Sequence, residues 1–229
     1  MTKDITSAIN IIEEALTKCV NPYIAFSGGK DSTVLLHLVR KVSPDIKVVF
    51  HDTGVEARQT YDYIKTMPEI IITKPNTTFY EVVKKYGWPG FKAQHHDGNK
   101  CCVYLKEKPA KELNKKMGFD LTFLGLTIHE SRNRFLLLKS RGWLYRKKDG
   151  MWKCYPIWDW TEKDVWDYIK ENNIPYNKGY DCGWRRCGCM PCTAHFKWQE
   201  RLAKENPKML KMILRQRYGQ RQCGDYYGL

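Results

Sequence analysis

Apolar residues recur at helical spacing near the N-terminus, where Ile5, Ala8, Ile9, Ile12 and Leu16 fall on one face of a helix over Ile5–Lys18. A short continuous apolar run, Tyr23-Ile24-Ala25-Phe26, reads as a buried strand. Two glycines interrupt it, and Thr33-Val34-Leu35-Leu36-His37-Leu38 opens a helix that reaches about Arg40. Ser43-Pro44-Asp45 punctuates the chain. The alternation then repeats, with strands at Ile46–His51, Glu69–Thr73 and Leu121–Leu126 and helices at Thr60–Thr66, Phe79–Tyr86 and Lys106–Met117. Strands alternating with helices predict βαβ units, hence a Rossmann-like α/β fold with a mostly parallel sheet and flanking helices. Trp143–Tyr155 predicts a hairpin turning at Asp149-Gly150. Thr161 predicts an N-cap for a helix over about Glu162–Asn172, with Asp164 three residues on. A Gly- and Cys-rich loop spans Asn177–Thr193, and the segment from Phe196 to Tyr218 reads as helical with a break at Asn206-Pro207. Residues 1–176 are thus expected to form the α/β domain, and residues 177–229 a Cys-rich loop and helical tail packed on it.

In open parallel sheets, ligands sit beyond the carboxyl ends of the strands. Those ends carry Ser27–Ser32, Asp52–Gly54 and Gly125–Arg134, three segments expected to share one crevice. In Ser27-Gly28-Gly29-Lys30-Asp31-Ser32, the glycines let the backbone approach a ligand and adopt positive φ. The helix that follows presents unpartnered amides and the positive end of its dipole. Two hydroxyls and a lysine complete a cradle for an anion, the phosphate of a nucleotide. The spacing matches neither the Walker loop nor the dinucleotide Gly-x-Gly-x-x-Gly fingerprint. Asp31 is placed to orient Lys30, Asp52 and Thr53 to read ribose or adenine, and Arg132 and Arg134 to clamp phosphate or sulfate.

Composition narrows the partners. The chain has 229 residues, 42% of them hydrophobic, enough for a substantial core. It lacks an apolar run of about 18 residues and a signal-peptide pattern, so a cytoplasmic protein without a membrane span is expected. A formal charge of +14 favours anionic partners, whether small nucleotides or nucleic acid. Nine cysteines in such a chain argue for metal or redox chemistry over a disulfide framework.

The cysteines pair off as Cys101-Cys102 and Cys189-Met190-Pro191-Cys192. Four thiolates suit zinc or an iron–sulfur cluster. Consecutive side chains diverge, which makes Cys101-Cys102 a poor zinc knuckle and favours a [4Fe–4S] cubane. Cys182 and Cys187 flank the second pair and offer an alternative ligand set with Cys189 and Cys192, or a sulfur relay. Cys19 and Cys154 read as core thiols. His95 and His96 precede the first pair in a polar loop, and Trp152, Trp158, Trp160 and Trp166 read mostly as core.

Ser-Gly-Gly-x-Asp-Ser resembles the PP-loop of the adenine-nucleotide alpha hydrolase-like superfamily, which includes ATP pyrophosphatases, tRNA thiolation enzymes and sulfonucleotide reductases. Cys101-Cys102 with Leu105-Lys106 and Pro109, then Gly188-Cys189 and Pro191-Cys192-Thr193, resemble the cluster motif of adenylyl-sulfate and phosphoadenosine phosphosulfate (PAPS) reductases. Pro156-Ile157, Asp159-Trp160-Thr161, Asp164-Val165-Trp166 and Ile174-Pro175-Tyr176-Asn177 are similar to the same family. Gly125-Leu126, Glu130-Ser131 and Arg134 match its basic substrate loop in part, and the similarity runs from about Tyr23 to Thr193.

The resemblance implies a nucleotide site at Ser27, Gly28, Gly29, Lys30, Asp31, Ser32, Asp52, Thr53, Gly125, Glu130 and Ser131. It implies a [4Fe–4S] cluster on Cys101, Cys102, Cys189 and Cys192. Cys223, in Gln222-Cys223-Gly224, takes the place of the family's tail nucleophile, with Lys30 and Arg134 stabilising charge. The implied reaction reduces adenylyl sulfate, or PAPS, to sulfite and AMP, or adenosine 3′,5′-bisphosphate, through a cysteine thiosulfonate, with thioredoxin or glutaredoxin as reductant. The superfamily leaves a second reading open: an iron–sulfur-dependent ATP pyrophosphatase that thiolates nucleic acid, with ATP in the PP-loop. A non-catalytic nucleotide or redox sensor is a third, and an oligomer remains open.

Overall fold

The computed structural model describes residues 3–90, 99–195 and 197–218. Its elements follow the alternation read from the sequence: α1 (Thr6–Leu16), β1 (Pro22–Phe26), α2 (Lys30–Val42), β2 (Lys47–His51), α3 (Arg58–Lys65), β3 (Ile71–Thr73) and α4 (Phe79–Tyr86). Then come α5 (Lys100–Cys102), a π-helical turn (Val103–Glu107), α6 (Lys108–Met117), β4 (Leu121–Leu124) and α7 (Arg132–Arg141). The chain continues through β5 (Leu144–Arg146), β6 (Trp152–Cys154), α8 (Glu162–Glu171), α9 (Trp198–Glu205) and α10 (Pro207–Tyr218).

The described strands form one sheet in the order β3-β2-β1-β4-β6-β5. All neighbours are parallel except β5 and β6, which pair antiparallel as the expected hairpin. The chain leaves β1 toward β2 and β3, then returns to the opposite side of β1 as β4. This reversal opens the crevice in which doubly wound sheets bind ligands.

Alternation along the strands covers both sheet faces. Ile24 and Phe26 of β1 join Leu35, Leu38 and Val39 of α2, Ile12 of α1 and Ile169 of α8 in the main core. Tyr23 points the other way, into a second cluster with Val49, Phe119 and Met151, covered by Leu113 and Met117 of α6. Capping boxes start α4 and α8: Thr78 and Glu81 bond reciprocally, and so do Thr161 and Asp164.

Three departures from the sequence reading lie around the crevice. The helix expected from Lys106 begins at Lys100, so it includes Cys101 and Cys102 and passes through the π turn. The extra residue of that turn breaks the 3.6-residue period that would have revealed the helix. The fourth strand stops at Leu124 instead of Leu126, and the segment read as a substrate loop winds into a 3-10 turn at Ile128–Glu130 and then α7. α7 buries only Leu138 and leaves Phe135 and Leu136 exposed, so it has no apolar stripe to betray it.

Gly125 marks where β4 meets α2. A Cβ there would lie 2.9 Å from the carbonyl of Asp31 and from the Ser32 amide nitrogen, both backbone. Gly125→Ala is therefore expected to force apart β4 and the first turn of α2, at a cost of about 1–3 kcal/mol. Thermal unfolding checks this: the midpoint should fall by several degrees, and an unchanged midpoint would contradict the close approach.

Candidate functional site

The loop after β1 turns on Gly28, whose φ of +73° is left-handed. Gly29 is the N-cap of α2, so Lys30, Asp31 and Ser32 belong to the first helical turn. Hydroxyls brace the turn from inside. Ser32 Oγ donates to the Gly29 carbonyl at 2.8 Å and lies 3.1 Å from Ser27 Oγ, which accepts from the Gly29 amide at 3.3 Å. Thr33 Oγ1 also donates to Gly29 O, at 3.0 Å. Lys30 is buried, and its Nζ pairs with Asp31 at 3.0 Å and Glu162 at 3.8 Å.

The Cys-rich segment folds directly onto this loop. Asn177, fully buried, aims Nδ2 at the Gly28 carbonyl (3.3 Å), Thr60 Oγ1 (3.1 Å) and Cys187 Sγ (3.3 Å), while its Oδ1 accepts from the Gly179 amide at 2.9 Å. The Lys30 amide, one of the unpartnered donors at the helix start, donates to Tyr180 Oη at 3.0 Å. Cys187 Sγ lies 3.5 Å from the same Gly28 carbonyl. Burial raises the Tyr180 hydroxyl above its usual range and pushes the Cys187 thiol up to about 11.

The second strand end links the loop to the paired cysteines. Asp52 accepts from the Gly54 amide and from Tyr61 Oη, each at 2.8 Å. Thr53, buried, donates to Glu56 at 2.8 Å and lies 3.4 Å from Cys189 Sγ. Lys106 Nζ is 4.0 Å from the Glu56 carboxylate, whose side chain is 4% exposed. Burial acts against the charge on Lys106, but Cys189, Glu56, Cys102 and Cys192 outweigh it and hold the ammonium charged. Lys106 thus faces thiols from both pairs. A hydrogen bond from Cys101 draws the Cys102 thiol down to about 7, whereas the same bond and burial raise Cys101. Burial pushes Cys189 up to about 12 and raises Cys192. Among the described residues, no three His, Cys, Asp or Glu side chains converge as a single-ion site.

Cations gather at the third strand end. Glu130 forms a capping box with Thr127 and pairs with Arg134, and Ser131 Oγ caps α7 by accepting from the Arg134 amide. Burial, then the neighbouring Arg186 charge, lowers the Arg134 guanidinium to about 10, against the opposite pull of Asp31. His195 is held to about 4 by burial, then by Arg186, Arg201, Lys106 and Arg134. All three strand ends therefore border one basic crevice.

Asn177, Tyr180, Arg186 and Cys187 were not singled out for the nucleotide loop from sequence. Tyr180 and Arg186 carried only the signal of membership in the Gly- and Cys-rich stretch, whereas Asn177 stood in the family-like Ile174-Pro175-Tyr176-Asn177 and Cys187 was read as an alternative ligand or sulfur relay. Cys182 is exposed, and Cys187 bonds to the loop, away from the Lys106 side where Cys189 and Cys192 lie. Cys223, His95 and His96 lie outside the described residues.

Sheet order and loop define an α/β fold of the PP-loop type. The phosphoadenosine phosphosulfate reductase domain matches residues 21–195, and the chain belongs to that family. It is 35% identical over 179 residues to an adenosine 5′-phosphosulfate reductase of Geobacillus thermodenitrificans, covering 74% of this chain and 72% of that protein. An uncharacterized protein of Methanocaldococcus jannaschii is 34% identical over 200 residues, 82% of this chain but 46% of its own length. The PAPS reductase of Candida auris, solved as a phosphate complex, superposes with a TM-score of 0.61 at 25% identity, over 80% of this chain and 88% of that one. The U34-tRNA thiolase NcsA of Methanococcus maripaludis, solved with its [4Fe–4S] cluster, shares the fold: TM-score 0.51, 14% identity, 93% of this chain and 76% of that one.

Asn177→Ala is expected to destabilise the protein by about 1–3 kcal/mol, because it strands buried partners of the amide. Denaturant titration checks the loss, and a stability equal to wild type would remove Asn177 as the tie. A second expectation concerns pH. Burial, then Lys106 and Lys153, hold His51 to about 4. The unfolded chain takes up that proton near pH 6.5 and the folded chain does not, so stability falls as pH drops from 6.5 toward 4, by up to about 3 kcal/mol. Unfolding midpoints at pH 7 and pH 4.5 test this: His51→Gln should lose less stability between them than wild type, and an equal loss would refute it.

Proposed function

We propose that this protein is a sulfonucleotide reductase that acts on adenylyl sulfate or its 3′-phosphorylated form. The observation that carries the reading is the contact of Thr53, at the end of β2, with Cys189 at 3.4 Å. It supports the reading because it brings one of the paired cysteines to the end of β2, the strand next to the one that carries the Ser27–Ser32 loop, in a chain of the PAPS reductase family. Ser27, Gly28, Gly29, Lys30, Asp31 and Ser32 hold the anhydride end of the nucleotide, with loop amides and the dipole of α2 facing its charge. Asp52 and Thr53 border the ribose and adenine, and Gly125, Glu130 and Ser131 close the crevice from β4.

Cys223, as thiolate, attacks the sulfur; the sulfur–oxygen bond breaks, its electron pair leaves with AMP, and the enzyme keeps a thiosulfonate. Lys30 and Arg134 stabilise charge as it shifts to the leaving phosphate. A dithiol protein of the thioredoxin or glutaredoxin kind then releases sulfite. Cys101, Cys102, Cys189 and Cys192 would hold a [4Fe–4S] cluster: Lys106 faces three of these thiols, Cys102, Cys189 and Cys192, and Cys101 bonds to Cys102. When bound, such a cluster supplies fixed charge that tunes the site. We read residues 1–176 as the nucleotide-binding unit, residues 177–229 as its appended Cys-rich loop and helical tail, and the cytoplasm as the compartment.

One observation favours a second reading, an iron–sulfur PP-loop ATP pyrophosphatase that thiolates nucleic acid. Lys208, Lys211 and Arg215 line an exposed groove on α10, a basic surface suited to a phosphate backbone.

Anaerobically purified protein incubated with labelled adenylyl sulfate separates the two. The reductase reading expects AMP release and a sulfonated protein, abolished by Cys223→Ser. ATP cleavage stimulated by RNA, with no AMP release from adenylyl sulfate, would overturn it. Iron and labile sulfide should each approach about four per chain; one zinc without visible absorption would refute the cluster.

A further inference from the structure

The amide of Lys30 is the first donor of α2, one of those that a helix start leaves without a partner in the helix and that an anion seeks. Here a side chain takes it: the amide donates to Tyr180 Oη at 3.0 Å. The tyrosine oxygen therefore stands where an oxygen of a bound anion would stand. Its own proton is used as well. The bond between Tyr180 and Cys187 raises the hydroxyl and lowers the thiol, the pattern of a hydroxyl that donates to sulfur. Burial keeps the hydroxyl neutral, so it fills the donor without supplying a negative charge to the helix start.

Several features hold the tyrosine there. Gly29 has a φ of −89°, which any residue adopts, yet a Cβ on it would lie 3.3 Å from both Ser27 Oγ and Tyr180 Oη. Space for these hydroxyls, and not a backbone twist, asks for glycine at this position. The Tyr180 ring packs edge-on against Trp166 of α8, with centroids 5.1 Å apart and planes at 86°. Its 3-10 turn, Lys178–Tyr180, is capped by Asn177, whose Oδ1 accepts from the Gly179 amide at 2.9 Å. A Cβ on Gly179 would run into the Trp184 ring, so the indole closes the turn from outside. The side chain is thus pinned at both ends, its ring by α8 and its hydroxyl by the loop.

We propose that Tyr180 is a built-in competitor at the nucleotide loop: its hydroxyl and the anionic end of the ligand contend for the Lys30 amide. The inference rests on the reading of Ser27–Ser32 as the loop that grips that anionic end. An anion that uses the Lys30 amide must turn out the Tyr180 hydroxyl and give up the bond between them. This cost is about the same for every anion. A nucleotide offsets it with contacts to its ribose and adenine. Free phosphate, sulfate or pyrophosphate has no such contacts and meets the cost with the loop alone. The tyrosine thereby holds small anions below the affinity at which they would fill the loop, while a nucleotide still enters.

Tyr180→Phe keeps the ring against Trp166 and removes only the oxygen, which makes it the direct test. Titration calorimetry with inorganic pyrophosphate should show the variant binding about fivefold more tightly than wild type, the worth of one hydrogen bond that no longer has to be displaced. A tyrosine with a purely structural role gives the opposite sign, because a loosened loop binds an anion less well. Nuclear magnetic resonance of the full-length wild type supplies a second measurement that needs no variant. Pyrophosphate should shift the Lys30 amide and the Tyr180 ring signals together, over the same concentration range. Equal or weaker binding by a folded Tyr180→Phe, or a Tyr180 ring signal unmoved by bound pyrophosphate, would overturn the inference and leave the loop reading intact. Failure of both proteins to bind either pyrophosphate or adenylyl sulfate would remove the loop reading itself, and the inference with it.

Discussion

The amide of Asn177 is the tie on which the site depends. It carries two N–H protons, and three acceptors lie within reach: the Gly28 carbonyl, Thr60 Oγ1 and Cys187 Sγ. They come from the nucleotide loop, α3 and the Cys-rich segment, so the amide ties together parts of the chain far apart in sequence. The competition also means that none of the three is held by a private partner. A shift of the Cys-rich segment is felt at the Gly28 carbonyl, and hence in the left-handed turn that aims the loop amides. The Tyr180 hydroxyl on the Lys30 amide works the same way from the other side of the loop. It occupies a donor that a bound anion would use, and the same hydroxyl is hydrogen-bonded to Cys187, so it couples the loop to the Cys-rich segment.

Charge explains why the crevice is built from so many elements. Arg134, Arg186, Arg201 and Lys106 all act on His195, while the carboxylates nearby are largely engaged: Glu130 with Arg134, Glu205 with Arg201, Asp31 with Lys30. Like charges crowded together in a poorly solvated crevice repel, and an anion relieves that repulsion. A nucleotide with a sulfated or pyrophosphate end supplies more than one negative charge. Part of the net charge of +14, spread along the sequence, is therefore gathered by folding around His195, where Arg134, Arg186, Arg201 and Lys106 act together.

Much of the frame was legible in the chain. The run from Tyr23 to Leu38 declared a strand, a glycine turn and a helix, because apolar burial and positive φ each leave a compositional mark. α4 was expected over Phe79–Tyr86 and found there, and the structure adds the capping box of Thr78 and Glu81 that starts it. α7 was not legible, because a helix that buries one residue has no period to read. The helix carrying Cys101 and Cys102 was hidden by a π turn that shifts the register. Asn177 and Tyr180 escaped for a different reason: their importance is a tertiary hydrogen bond to a loop about 150 residues away, and no local pattern encodes it. The Cys-x-x-Cys drew attention instead, because its spacing is itself the signal.

That difference matters for the thiols. By spacing alone, Cys187 belongs with Cys189 and Cys192, and a ligand set drawn from neighbours in sequence is a natural reading. In three dimensions the stretch straddles a boundary. Cys189 turns toward Thr53, Glu56 and Lys106, where one ammonium faces thiols from both pairs. Cys187 turns toward Gly28 and Asn177, where the neighbours are hydrogen-bonding groups. A thiol in the first setting is suited to share its electrons with a metal, whereas one in the second braces the backbone of the glycine turn. The Gly188 backbone between them, at a φ of +157°, is the joint across which one short loop serves both settings.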